Sequence, residues 1–296
     1  MIVRILVLGI CVFLFFFSFQ SLYGIEEEER QIEKNLRSLT SENARSYLMP
    51  LMEAYSANLN RATFHTANVR SGFSLYLGMK AMIAIIPDIE NTYPAFSTAT
   101  NSIVNTATVV GNNGNNEFPD GFNWKVIPVM VPHLSIGNLF GTQIFFRYLP
   151  STKFDDKIGD IDVFGGGITH SLSQYIPGMP IDFAVQGSFQ YTKLGNTFES
   201  SGIVYNFLAS AQFTGLTLYG ALGFENSEVS VRYNYNPSGQ SETPGIPPDQ
   251  ITFSETFEEY YRATMGMSLQ FIIFIFNADF SFGNYNIASV GFGISL

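Results

Sequence analysis

Tyr261-Arg262-Ala263-Thr264-Met265-Gly266-Met267-Ser268-Leu269-Gln270-Phe271 sets an apolar side chain at every odd position, and a polar side chain or none at every even one. A period of two sends the two sets to opposite faces of an extended strand, one dry and one wet. The single charge, Arg262, falls on the wet face.

The same alternation recurs over residues 73–85, 144–148, 183–191, 203–213, 216–224, 229–235, 276–282 and 288–296. After residue 24 no unbroken apolar run exceeds six residues, as at Phe271-Ile272-Ile273-Phe274-Ile275-Phe276. A membrane-spanning helix needs roughly 20 such residues. In lipid, only helices and closed barrels satisfy every backbone polar group. If this chain crosses a membrane, it does so as a barrel.

Composition points the same way. Of 296 residues, 15% are aromatic and 14% charged, and acids outnumber bases 25 to 15. Soluble domains carry about a quarter charged residues. The acidic balance offers nothing to neutralise phosphates, which excludes nucleic acid as a partner. A soluble two-sheet sandwich would also alternate. Two features favour the barrel: charges within the strands fall on the polar face, and the sequence ends in strand pattern. Ser289-x-Gly291-x-x-Ile294-x-Leu296 resembles the C-terminal signal of outer-membrane barrels, with Ile294 and Leu296 in place of aromatics.

The expected fold is therefore all-β: a transmembrane antiparallel β-barrel of about ten strands, within a range of 8–14, over residues 63–296. Loops at residues 111–116 and 236–249 and a tight hairpin at residues 283–286 punctuate it. Residues 91–132 show no clear pattern.

Two segments precede the barrel. Residues 1–24 have the layout of a secretory signal peptide: Arg4, then an apolar run from Ile5 to Phe17 that contains Cys11, then a more polar exit. Residues 25–62 read as an amphipathic helical segment. Tyr47, Leu48, Leu51, Met52, Tyr55 and Leu59 fall on one helix face, and Pro50 is expected to kink or restart it. This helix could pack on the barrel rim, plug its mouth or pair with a partner helix.

Charges that face hydrocarbon cost roughly 2–4 kcal/mol at mid-depth, so those on the strands are expected to face the lumen. They are Lys80, Arg147, Asp182, Glu225, Glu228, Arg232, Arg262 and Asp279. Mixed signs suit a paired network or a wet passage. No other constellation reads as a catalytic, cofactor or metal site. His65, His133 and His170 have no metal-ligand spacing. Ser171 follows His170 directly, so on a strand it points away from that ring, and His170 reads as a hydrogen-bonding rim residue. Asp155, Asp156, Asp160 and Asp162 read as solvated acids at a turn. Gly165, Gly166 and Gly167 read as a close backbone approach within a strand.

Three blocks carry a family resemblance. The first is residues 46–60 with His65-Thr66-Ala67 and Ile86-Pro87-Asp88. The second is Val109-Val110-Gly111 with Arg147-Tyr148-Leu149-Pro150. The third is residues 164–177 with Pro180-Ile181-Asp182-Phe183. Together they resemble an uncharacterised domain-of-unknown-function family of bacterial envelope proteins, common in Bacteroidetes and relatives. The resemblance implies an outer-membrane barrel after an N-terminal helix and supplies no activity. The helix-then-barrel order is also similar to the long-chain fatty-acid transporter class, at the level of fold alone.

The expectation is a non-enzymatic barrel of the bacterial outer membrane that passes or binds a small or hydrophobic solute. The alternative is a structural or assembly component with a filled lumen; a barrel lipid hydrolase ranks below both. Outer-membrane lipid is the expected surrounding, and the barrel-assembly machinery the expected handler of the C-terminal strand.

Overall fold

The computed structural model describes residues 30–69, 73–97, 99–137, 140–155, 157, 159–176, 178–236 and 249–296. The signal-peptide reading, Cys11, Asp156 and most of the loop at 236–249 lie outside them.

Two helices come first, α1 (Gln31–Arg37) and α2 (Ser41–Leu59). Thr40 caps α2, its hydroxyl accepting from the Asn43 N–H at 3.4 Å. α2 continues as one helix across Pro50, so the helix does not restart there. Pro50 is itself buried, and tertiary packing around it sustains the helix where propensity alone would not.

The wall starts with β1 (Ser74–Ile85). A hairpin, β2 (Thr92–Ser97) and β3 (Ser102–Ala107), then leaves it as a separate two-stranded sheet. This excursion occupies most of the stretch with no clear sequence pattern. The wall resumes with β4 (Val126–Gly137), β5 (Thr142–Asp155), β6 (Gly159–Ser171), β7 (Asp182–Leu194) and β8 (Phe198–Gln212). It finishes with β9 (Leu216–Tyr235), β10 (Asp249–Phe271), β11 (Phe274–Phe282) and β12 (Asn286–Ser295). Each barrel strand pairs antiparallel with its neighbour, and β12 pairs with β1 to close a ten-stranded barrel. Leu75 and Leu296 exchange backbone hydrogen bonds of 2.9 Å at that seam. The mouth where β1 begins is called lower here, the opposite one upper.

The strands differ in height. β9 and β10 run 20 and 23 residues while β11 has nine. Segments 216–224 and 229–235 are one strand whose own alternation is unbroken: its register with β8 is continuous, and the extra residue of the shift opposite Gly223 and Glu225 belongs to β10. This has a consequence for polarity. In the lower half of β9 the outward residues are Leu218, Leu222 and Phe224. Farther up, the same outward face carries Glu228, Ser230 and Arg232, while Val229, Val231 and Tyr233 turn inward. Glu228 and Arg232 are therefore exposed on the outside, which corrects their expected lumenal placement. The expectation held the apolar face outward along the whole sequence, but strand geometry keeps the parity fixed and the polarity changes sides.

Neighbouring strands repeat the inversion. Asp162, Lys193, Glu199, Ser230 and Ser254 lie directly opposite one another across β6 to β10 on the outside. On the inside, Ile161, Leu194, Phe198, Val231 and Phe253 form the matching row. One step below the polar row, Tyr148, Phe164 and Tyr191 face one another across β5, β6 and β7. Such an aromatic line marks the edge of an apolar band. From Phe183 to Tyr191 that band is about 20 Å tall, taking roughly 3.3 Å per residue and a strand tilt near 40°. The wall is thus lipid-compatible below and water-compatible above on the β6–β10 side. On β1 and β4 the outside stays apolar up to Ile83, Ile85 and Val126.

Candidate functional site

The inverted upper half needs an apolar filling, and α2 supplies it. Tyr47, Leu48, Leu51, Met52, Ala54, Tyr55 and Leu59 are buried. They share one core with Met82, Ile127, Val131, Val163, Val229 and Phe253 of the wall. The helix lies inside the barrel. Its polar side chains reach the wall as well: the Tyr55 and Thr192 hydroxyls meet at 2.9 Å, those of Ser56 and Ser200 at 3.1 Å, and the Asn58 amide donates to the Ile127 carbonyl at 2.8 Å.

Below α2 the chain continues extended down the lumen. Asn60 donates to Ser227 at 2.9 Å, Thr63 to Gln186 at 2.7 Å, the Ala67 N–H to Ser210 at 3.0 Å and Asn68 to Asp182 at 2.8 Å. Asp182 borders the lower mouth, since it opens β7 beside Ser210. The segment from Ser41 to Asn68 thus runs from the upper half of the barrel to its lower mouth.

Two arginines fasten it at mid-height. Arg61 reaches from the plug to the wall, pairing with Glu225 and, at 2.6 Å, with Glu259; Arg262 also pairs with Glu225 at 2.6 Å. All four side chains are at most 6% exposed, so each charge relies on its partners rather than on water. Arg147 reaches the other way. It donates to the carbonyls of Leu59 at 3.2 Å, Arg61 at 2.8 Å and Ala62. Helix ends leave carbonyls without partners and carry partial negative charge, and Arg147 answers both. Ala62 holds a left-handed backbone, φ 56°, in the bend Arg147 ties down. The Arg147 Nε donates to His133 at 3.2 Å, and His133 stacks on Phe145 at 5.0 Å.

Six of the eight expected lumen residues face inward. Lys80, Arg147, Glu225, Arg262 and Asp279 are buried, and Asp182 is half-buried. Lys80 donates to Asn277 at 2.7 Å and Asp279 accepts from the Tyr219 hydroxyl at 2.9 Å. Arg61 and Glu259 were absent from the sequence reading. Arg61 belongs to no strand, and Glu259 lies at the β-bulge where the inward parity of β10 changes. One signal was available: Arg61 is the only Lys, Arg, Asp or Glu between Glu53 and Arg70.

The glycine run serves close approach. A Cβ on Gly165 would lie 2.1 Å from the Gln190 amide oxygen, and one on Gly167 2.5 Å from the Phe145 ring. His170 sits on the outer face, its ring nitrogens meeting Thr142 at 2.9 Å, Tyr175 at 3.0 Å and Gln174 at 3.1 Å. Ser171 points inward, and the Ser173 hydroxyl accepts from the Phe183 N–H at 2.6 Å. Among the described residues no three acidic, His or Cys side chains gather to hold a metal.

Little space stays open in the lower lumen. The lower mouth holds a recess of about 50 Å³ lined by His65, Asn68, Tyr76, Gln143, Gln212 and Gln270. That suits a few waters. No helix among the described residues is long and apolar enough to cross a membrane.

The chain belongs to a family of unknown function (DUF6588), whose pattern matches residues 3–296. No curated protein matches it. Solved structures similar to it are outer-membrane barrels. A FadL homologue of Pseudomonas aeruginosa is 10% identical over 78% of this chain and 67% of its own, with a TM-score of 0.34. The toluene transporter TodX of Pseudomonas putida is 11% identical over 93% and 76%, with a TM-score of 0.30. The outer-membrane protein OmpT of Vibrio cholerae is 9% identical with a TM-score of 0.29, and the match spans about half of each chain, 56%. At these values the likeness is one of barrel architecture.

Proposed function

We propose that this protein is an outer-membrane β-barrel held shut by its own N-terminal segment. It serves as a non-conducting, non-enzymatic component of the bacterial envelope. The observation that carries this reading is the plug: residues 41–68 fill the lumen, packed by a hydrophobic core above and fixed by Arg61 and Arg147 below. Barrels of about eight strands are filled by side chains, and wide aqueous lumens belong to much larger ones. The longest excursion between neighbouring wall strands, the β2–β3 hairpin between β1 and β4, lies at the upper mouth, while the lower-mouth turns at 213–215 and 272–273 are short. Short turns are periplasmic in such barrels, which directs the tall β6–β10 wall outward from the cell.

Passage of a small solute is the second reading. It is favoured by the wet lower lumen, where Gln143, Gln212 and Gln270 ring the recess, and it requires the plug to move. One pair of variants separates the two. Ser56→Cys with Ser200→Cys places thiols where hydroxyls now meet at 3.1 Å. Oxidation would staple the plug to the wall. On the closed-barrel reading, bilayer conductance and solute uptake into vesicles are negligible in both the reduced and the oxidised protein. Uptake that is present when reduced and lost when oxidised would overturn it in favour of gated passage.

A further inference from the structure

Among the described residues, β10 above the β-bulge between Glu259 and Arg262 has a strand neighbour on one side only. Pairing with β9 continues to Asp249 opposite Tyr235. Pairing with β11 stops at Ala263 opposite Phe282. The β11–β12 turn closes below, where the Asn284 N–H donates to Glu259 at 2.5 Å.

The direction of the free backbone groups follows from register. The Arg232 N–H donates to Thr197, on the β8 side. Even-numbered residues of upper β9 therefore address β8 and odd ones address β10. Their partners Ile251, Phe253, Glu255 and Phe257 address β9 in return, which turns the N–H and C=O of Gln250, Thr252, Ser254 and Thr256 toward the open side. All four residues are exposed, and no backbone partner on that side appears among the described residues.

Unpaired strand edges template the addition of another strand, and proteins usually blunt them with proline, lysine or bulges. The opposite edge of the tall sheet, on β5, carries Pro150 and two register shifts. Residues 249–258 contain no proline, glycine or lysine. On the inner side of this edge Ile251 and Phe257 are only partly buried against the core.

We propose that the upper edge of β10 takes up an extended, basic segment of another polypeptide as an added strand. Charge sets the chemistry of the occupant. A groove at the foot of the edge is lined by Glu53, Glu225, Glu258 and Glu259. Arg61 and Arg262 answer Glu225 and Glu259, whereas Glu53 accepts from the neutral Asn284 amide at 3.0 Å. A lysine or arginine at the lower end of the incoming strand meets this acidic groove. Apolar residues on its inner face cover Ile251 and Phe257, and polar ones line up with Thr252, Ser254 and Thr256. A second copy in the same membrane does not fit. Two-fold rotation about the membrane normal reverses the strand tilt, so two β10 strands each tilted near 40° would cross at about 80° instead of lying side by side, and the sheet cannot continue.

The test uses the full chain in detergent micelles and a labelled peptide alternating valine and threonine that ends in lysines. Fluorescence anisotropy should show binding, about tenfold weaker for the same peptide ending in glutamates. Methylation of the peptide's edge-facing amides, which leaves the protein untouched, should abolish it. Ser254→Pro deletes an N–H that faces the open side and spares the bonds to β9. It should weaken binding about tenfold with the SDS mobility of the folded barrel unchanged, as expected for loss of about one hydrogen bond. Equal binding of the methylated probe, or of the parent and Ser254→Pro proteins, overturns the proposal, as does no binding of the lysine probe. Self-association of the full chain that Ser254→Pro abolishes assigns the edge to a second copy and overturns it equally.

Discussion

Arg61 of the plug and Arg262 of β10 donate to the same atom, the Oε2 oxygen of Glu225. Arg61 also holds Glu259, so one plug residue joins two wall carboxylates. Replacing Arg61 by Met leaves Glu225 with Arg262 and Glu259 with no cation. Breaking a buried pair this way costs about 3–5 kcal/mol. The expected result is a large drop in the urea midpoint of unfolding, followed by SDS mobility. Adding Glu259→Gln should recover much of it, because the stranded charge goes with it.

Arg147 makes a separate prediction, since it binds main chain rather than carboxylates. Arg147→Met strips donors from the carbonyls of Leu59, Arg61 and Ala62. At 1–3 kcal/mol for an unsatisfied buried group, a loss of about 3 kcal/mol is expected. Limited proteolysis should then cut within residues 41–62 while the β-sheet circular dichroism persists. Arg147→Lys should fall between the two, because an ammonium cannot fork onto several carbonyls.

The polarity inversion predicts opposite responses on one strand. Leu222 and Ser230 are both on the outside of β9. Leu222→Arg should cost about 2–4 kcal/mol of folding free energy in lipid vesicles. Ser230→Arg should lie within about 0.5 kcal/mol of the parent. Equal costs at both positions would mean that the upper wall is also immersed.

Much of this architecture is legible in the sequence, and the failures have one physical source. Alternation located the strands, and the count of about ten matches the ten in the barrel. The direction of alternation was read as though the outside were always apolar. Yet Leu222 and Val229 stand an odd number of residues apart on one strand, so they cannot share a face. That parity change was present in the sequence and marks where the wall leaves lipid. Glu228 and Arg232 were misplaced for this reason, while Lys80, Arg147 and Asp279, which sit below the change, were not. The plug contacts were not legible, because an extended segment such as residues 60–69 has no period that names its neighbours.

Gly223 offers a steric test. A Cβ there would lie 2.5 Å from the Asn206 amide oxygen and 2.6 Å from the Arg262 guanidinium. Gly223→Ala should cost about 1–3 kcal/mol by overpacking. At Gly187 the nearest atoms, from Tyr205, are 3.8 Å away, and Gly187→Ala should unfold at nearly the parent's midpoint.

Glu53 supplies a pH dependence. Burial raises its pKa, and the charges of Glu90 and Glu259 add to the rise, opposed by the hydrogen bond from Asn284. The folded state thus prefers the protonated acid more than the unfolded state does. Its contribution is stabilising at low pH and is lost as pH rises through the raised value. Glu53→Gln keeps an oxygen for Asn284 and carries no charge. It should be more stable than the parent near pH 8, with the gain gone by about pH 4. Urea titrations at the two pH values check the sign.

The path of the N-terminal segment also favours an order of events in biogenesis. Residues 41–68 run down inside the ring and lead into β1, and β1 is one lip of the seam that β12 completes. A ring sealed first would have to admit α2 tip-first through a bore already crossed by Arg147 and Lys80. A sheet that wraps around its own leading segment and zips β1 to β12 last avoids that passage, because the seam then closes on a cork already in place.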